Sequence, residues 1–138
     1  MAAVSQGAAE SGGRVIGVTS GHMEAWRPMP PNEWVGEEVR MSSQRERLMH
    51  LVMNNDGMIA LPGGIGTLSE VALAWSLMQT GEMKTRPLVL LGPIWRETIR
   101  VYSQAEFIRP RDLDLLYLAT SAETAVGYIR QRLADRLP

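Results

Sequence analysis

Gly63, Gly64, Gly66, Thr67 and Glu70 sit close together in a glycine-rich stretch whose residue types and spacing are suited to chemistry on a phosphorylated ligand. Glycines let a backbone approach an anion with no Cβ in the way. The first turn of a helix adds N–H groups that have no intrahelical partner, together with the positive end of the helix dipole. A phosphate seated here would be held by the backbone of Gly63, Gly64, Ile65 and Gly66 and by the hydroxyl and backbone of Thr67. Glu70 follows Thr67 by three residues, which puts a carboxylate one helical turn from that phosphate. A carboxylate so placed can stabilise developing positive charge, or activate a water for attack.

The elements that must hold these residues can be read from the same stretch, DGMIALPGGIGTLSEVALAW. Residues 58–61 form a short apolar strand, 62–66 a tight glycine turn, and a helix is expected from Thr67. Thr67 would cap that helix and Glu70 would complete a capping box. The turn is not a Walker A loop, since no lysine follows the last glycine, and its GGxGT spacing is not the dinucleotide GxGxxG. The same letters would also serve as a capped βα connection with no ligand.

PGGIGTLSE resembles the PGGxGTxxE signature of the LOG family, the cytokinin-activating nucleotide phosphoribohydrolases, many of which carry the label "lysine decarboxylase-like". The resemblance covers nearly the whole chain, including GAAESGGRVIGV near the start and the segment 79–91. It implies a catalytic pair: Arg47, 23 positions before Glu70, matches the spacing of the family's Arg and Glu. Arg45 is two residues away and points to another side of its helix, so it is the fallback if the register slips. Two positions depart from the family pattern, Leu48 where a Lys is usual and Ser69 where a Glu is usual. The family's first strand, helix, second strand and GGG loop have no counterpart, and Met1 falls where an internal residue would be. The expected fold is therefore α/β, a Rossmann-like doubly wound parallel sheet with helices on both faces, N-terminally shortened and lacking the family's first strands.

The implied activity is hydrolysis of the N-glycosidic bond of a nucleoside 5′-monophosphate, a cytokinin ribotide or an AMP-like nucleotide, to free base and ribose 5-phosphate. No cofactor or metal is implied. A homodimer or higher homo-oligomer is, with the helix over 67–80 as a candidate surface. The alternative is a non-catalytic carrier of a nucleotide or of molybdenum cofactor, because molybdenum-cofactor carrier proteins use a GGxGTxxE-like turn. The missing N-terminal half-site, Leu48 and Ser69 favour that alternative. A third possibility is a fragment ordered only on association.

Composition narrows the field. A chain of 138 residues, 45% hydrophobic, suits one domain over 1–138 with a packed core. A net charge of −1 argues against nonspecific binding of nucleic acid or of an anionic membrane. No apolar run approaches the roughly 20 residues of a membrane span, and no signal peptide is evident, so a cytoplasmic location is expected. The absence of cysteine excludes disulfides and thiolate chemistry and is compatible with a reducing compartment. His22 and His50 are too few and too far apart for a metal site. Lys84, the only lysine, lies in a surface-like GEMKTRP loop, which argues against pyridoxal-phosphate decarboxylation.

In chain order, 1–11 read as the end of a helix that Gly12-Gly13 breaks, and 15–18 as a strand. Residues 20–40, with three prolines and two tryptophans, read as a long loop without regular structure. Trp26 and Trp34 could stack on a purine there, or cover the core edge or a dimer interface. Ser42 or Ser43 caps a helix to about residue 54, and the 67–80 helix ends at Gly81. Residues 87–91 form a strand buried on both faces. A helix over 94–104, a loop at Arg109–Arg111, a strand over 115–119 and a helix capped by Ser121 complete the alternation expected of a parallel sheet.

Overall fold

Every strand pair in the structure is parallel, and the pairs fall into two groups. The structure is a computed structural model that describes residues 2–21, 25, 30–104 and 107–135. Residues 1–51 and 52–138 each form a compact unit.

In the first unit, helix α1 (Ala2–Glu10) ends where Gly12 takes the left-handed conformation at φ 76°, its N–H donating to Ala9 O at 2.9 Å. Strand β1 (Ile16–Ser20) then pairs in register with β2 (Glu37–Met41), Val18 opposite Val39 and Ser20 opposite Met41. One face of this sheet carries Thr19, Glu38 and Arg40, and the Thr19 hydroxyl donates to the Glu38 carboxylate. The other face carries Val18, Ser20, Val39 and Met41. β2 corrects the sequence reading, which left 20–40 without regular structure. Three of its five residues are charged, so the strand is held by its backbone ladder and one apolar face rather than by a hydrophobic run.

Helix α2 (Gln44–Met53) follows, capped as expected: Ser43 Oγ accepts from Glu46 N at 3.2 Å, and the Glu46 carboxylate accepts from Ser42 Oγ at 2.7 Å and Ser42 N at 3.1 Å. Those bonds from Ser42 hold the Glu46 carboxyl below its ordinary pKa.

The second unit contains β3 (Met58–Ala60), α3 (Ile65–Thr80), β4 (Leu88–Leu91), α4 (Pro93–Ser103), α5 (Pro110–Leu113), β5 (Leu116–Ala119) and α6 (Ala122–Ala134), with strand order β3-β4-β5. β4 is the central strand; Leu88, Val89 and Leu90 are buried, as a run of apolar residues between two neighbours and two covered faces requires. α6 packs Ala125 and Ile129 against the face carrying Val89 and Ala119, and α3 and α4 also contact β4. Tyr117 and Tyr128 stack at 3.9 Å between ring centroids. Ser121 caps α6 as expected, accepting from Thr124 N at 3.2 Å while Thr124 Oγ1 accepts from Ser121 N. Gly81, left-handed at φ 78°, closes α3 at the expected residue. The stretch read as a loop at Arg109–Arg111 opens α5, with Pro110 in the first helical position, where its missing N–H costs nothing.

Candidate functional site

The glycine turn connects β3 to α3 at the carboxyl end of the three-stranded sheet, the end at which open α/β sheets bind ligands. The helix starts earlier than its sequence suggests. Gly64 is the N-cap, with extended dihedrals and no side-chain cap bond, and the first intrahelical bond shown for this turn runs from Leu68 N to Gly64 O at 3.0 Å. Thr67 therefore lies inside the first turn, and the expected Thr67–Glu70 capping box is not how this helix begins. The change favours an anion: with no side-chain cap bond at Gly64, the amides of Ile65, Gly66 and Thr67 form an uncapped first turn.

The three glycines are there for different reasons. A Cβ on Gly63 would sit 2.8 Å from Thr67 Cβ and on top of Thr67 Oγ1, so Gly63 makes room for the threonine that folds back over it. Gly64 and Gly66 would have nothing within 4 Å of an added Cβ, and neither has a positive φ. Neither backbone conformation nor internal packing demands glycine at these two positions. The space beside them is open to an incoming group, and Ile65 between them is 80% exposed.

The turn is anchored from beneath. Gly92, at φ 110° in a region open mainly to glycine, begins α4, and an added Cβ there would lie 3.1 Å from Pro62 Cγ, so the proline ring rests over it. The buried Trp95 donates from Nε1 to Leu61 O at 3.2 Å, holding the strand end just before the turn. The far half of α3 is tied to α5: Trp75 Nε1 donates to Asp112 O at 2.6 Å and Gln79 Nε2 to Asp112 Oδ2 at 3.0 Å. Arg109 grips the same buried carboxylate through Nε at 2.8 Å and a second nitrogen at 3.2 Å. The Arg109 hydrogen bond, aided by Gln79, holds the Asp112 carboxyl below its ordinary pKa. The sequence reading missed this anchoring set; the available signals were Gly92-Pro93 followed by Trp95, and an Arg-Pro-Arg-Asp run.

Glu70 is half-buried on α3, one turn after Thr67, so the structure places Gly63, Gly64, Ile65, Gly66, Thr67 and Glu70 on one turn and the helix it opens. Ser69 is exposed, its hydroxyl donating back to Ile65 O at 2.8 Å. Beside this turn a groove of about 340 Å³ runs along α3, lined by Leu68, Trp75, Trp95, Ile99 and Tyr102 among others; it is apolar, with both indole N–H groups already donated to backbone carbonyls.

Arg47 belongs to the first unit. It is half-buried on α2, and its Nε donates to Val18 O at 2.9 Å, against β1. Arg45 is exposed, so within this unit the fallback residue is the more solvated of the two arginines. Trp34 precedes β2, its N–H donating to Asn32 Oδ1 at 3.1 Å. That places it at the amino end of the strands, away from the end where ligands bind, and so against base stacking. Trp26 lies outside the described residues. Among the described residues no group of three or more His, Cys, Asp or Glu could hold a metal ion, and no helix is long and apolar enough to cross a membrane.

A family profile described as possible lysine decarboxylase matches residues 1–129. Among curated relatives, the chain is 36% identical over 94 residues to the probable cytokinin riboside 5′-monophosphate phosphoribohydrolase LOGL9 of Oryza sativa subsp. japonica, covering 67% of this chain and 39% of that protein. It is 35% identical over 78 residues to the cytokinin riboside 5′-monophosphate phosphoribohydrolase LOG5 of Arabidopsis thaliana, covering 55% and 33%. The chain thus spans between a third and two fifths of these relatives' lengths. Among solved structures it is similar to the molybdenum cofactor carrier protein of Chlamydomonas reinhardtii (TM-score 0.65, 24% identity, 94% of this chain and 68% of that one). It is also similar to the molybdenum cofactor binding protein of Rippkaea orientalis (TM-score 0.67, 23% identity, the same coverage). These two likenesses show a shared Rossmann-like α/β fold.

Proposed function

The chain belongs to the possible-lysine-decarboxylase family, the family of the LOG proteins, and from that premise we propose that it is a nucleoside 5′-monophosphate phosphoribohydrolase. The substrate is a cytokinin ribotide or an AMP-like nucleotide, and the products are free base and ribose 5-phosphate. The observation that carries the reading is the open space at Gly64 and Gly66 beside the uncapped start of α3. A 5′-phosphate seated on residues 63–67 accepts hydrogen bonds from the helix amides and takes the favourable end of the dipole. The ribose then lies toward Glu70, whose carboxylate stabilises the oxocarbenium-like transition state or activates the attacking water. Arg47 supplies the cation of the family's Arg–Glu pair and holds phosphate or ribose hydroxyls. The whole chain acts as one nucleotide-binding domain, in the cytoplasm, as a homo-oligomer with α3 as its candidate surface.

The test is release of free base from AMP and from N6-isopentenyl-AMP, separated by chromatography. The parent protein should release base, and Glu70→Ala should lower the rate by at least about 100-fold. Equal rates for the two proteins would refute the mechanism.

A second reading is favoured by two residues. Leu48 and Ser69 are uncharged where the family usually carries charge, and Ser69 spends its hydroxyl on the helix backbone. A non-catalytic carrier of a nucleotide or of molybdenum cofactor would use the same phosphate seat without turnover. Tight binding of a phosphorylated ligand with no base release would select that reading.

A further inference from the structure

The second unit carries a notch of about 270 Å³ at the amino end of its sheet, the end opposite the phosphate turn. The four residues of β4 separate the two places by about 13 Å of strand. Residues 85–87, which lead into β4, form one wall, and Asp114 and Leu115, which lead into β5, form a second. The third is α6, where Tyr128, Arg132 and Asp135 recur at i, i+4 and i+7 on one helix face. The notch is thus rimmed by the guanidinium groups of Arg86 and Arg132 and the carboxylates of Asp114 and Asp135. These charges do not pair with one another: among the described residues, neither carboxylate has a side-chain hydrogen bond or an ion pair. Arg86 is half-buried and bonded through Nη1 alone, which donates to Met53 O at 3.1 Å and to Asn55 O, so its Nε and Nη2 edge holds nothing among the described residues. Arg132 spends Nε on the Tyr128 hydroxyl at 3.1 Å and keeps its terminal nitrogens. Between the charges the wall is apolar, made by the buried Pro87 and the half-buried Leu115 and Tyr128.

We infer that this notch binds a free α-amino acid with an apolar side chain. A simple anion would gain from the two arginines and lose against the two carboxylates, and a simple cation the reverse. A zwitterion gains at both. Its carboxylate takes the open edge of Arg86, which presents two parallel N–H groups, with Arg132 beside it. Its ammonium goes to Asp114 and Asp135, and its side chain lies on Pro87, Leu115 and Tyr128. The inference is independent of the nucleotide reading, because no residue of the notch belongs to the phosphate turn or to α3.

Calorimetric titration of the full chain with L-leucine, isocaproate (leucine without its ammonium) and isoamylamine (leucine without its carboxylate) tests this. The parent should bind leucine at least about tenfold tighter than either analogue. The double variant Asp114→Asn with Asp135→Asn should weaken leucine about tenfold and strengthen isocaproate, since two repelling charges have gone. It should melt with the parent, because both residues are exposed and neither carboxylate holds another group. No leucine binding by the parent would overturn the inference, as would equal binding of the three compounds or an unchanged leucine affinity in a folded double variant. So would displacement of leucine by AMP, which would put the amino acid at the phosphate turn instead. Leucine binding that meets these expectations in a protein that releases no base leaves this inference standing and removes only the hydrolase reading.

Discussion

The two units reach order by different means. In the second, Val71, Ala74, Leu77, Met78, Leu88, Val89, Leu90, Trp95, Ile99, Ala119 and Ala125 are all buried, and the strand at the centre is covered on both faces. In the first, up to Leu51, Ser20 is the buried residue among those described, the buried Val52 of α2 falling in the second; Val18 and Val39 are only half-buried, and charged residues cover one sheet face. The second unit is stabilised chiefly by removing apolar surface from water. The first depends on its ladder, its caps and side-chain bonds such as the Arg14–Glu37 ion pair and Arg47 to Val18 O, which contribute less apiece. The candidate phosphate turn therefore belongs to the more deeply buried unit.

Substitutions can break this contrast. Leu90→Ala, in the middle of the central strand, should cost about 2–5 kcal/mol of stability in urea unfolding. Val39→Ala, on the apolar face of the two-stranded sheet, should cost about 1 kcal/mol; equal costs would erase the contrast. Gly63→Ala should cost about 1–3 kcal/mol, because the new Cβ must push Thr67 aside. The smallest effect should come from Asp112→Asn, which removes the charge gripped by Arg109 and lowers the melting temperature modestly. Its signature is in pH. Asp112 has a depressed carboxyl pKa in the folded state, so its contribution is present above the unfolded carboxylate pKa and fades as pH falls through the lower folded one. Parent and variant melting curves should therefore converge in acid; a constant gap down to low pH would show that the ionised Asp112 carboxylate is not what stabilises this corner of the fold.

The same contrast explains which parts were legible in the sequence. Leu88–Leu91 announces itself as a continuous apolar run, and Gly81 and Ser121 mark helix ends by chemistry that no tertiary context had to modify. Glu37–Met41 could not be read, because EEVRM has a strand's ladder without a strand's hydrophobic pattern. The start of α3 was misplaced because Thr67 looks like a cap, whereas Gly64, which caps without a side chain, carries no such mark. That a glycine turn joins a strand to a helix here was legible from the glycines themselves.

The claim that Gly64 and Gly66 are open for a phosphate is tested most directly at Gly66, which lies inside α3. Gly66→Ala should leave the melting temperature unchanged or raise it, since alanine is favoured over glycine in a helix by up to about 1 kcal/mol. The same substitution should weaken AMP binding by at least about tenfold in calorimetric titration, as the methyl group fills the space the phosphate needs. Unchanged affinity in a fully folded variant would mean that no phosphate approaches this turn.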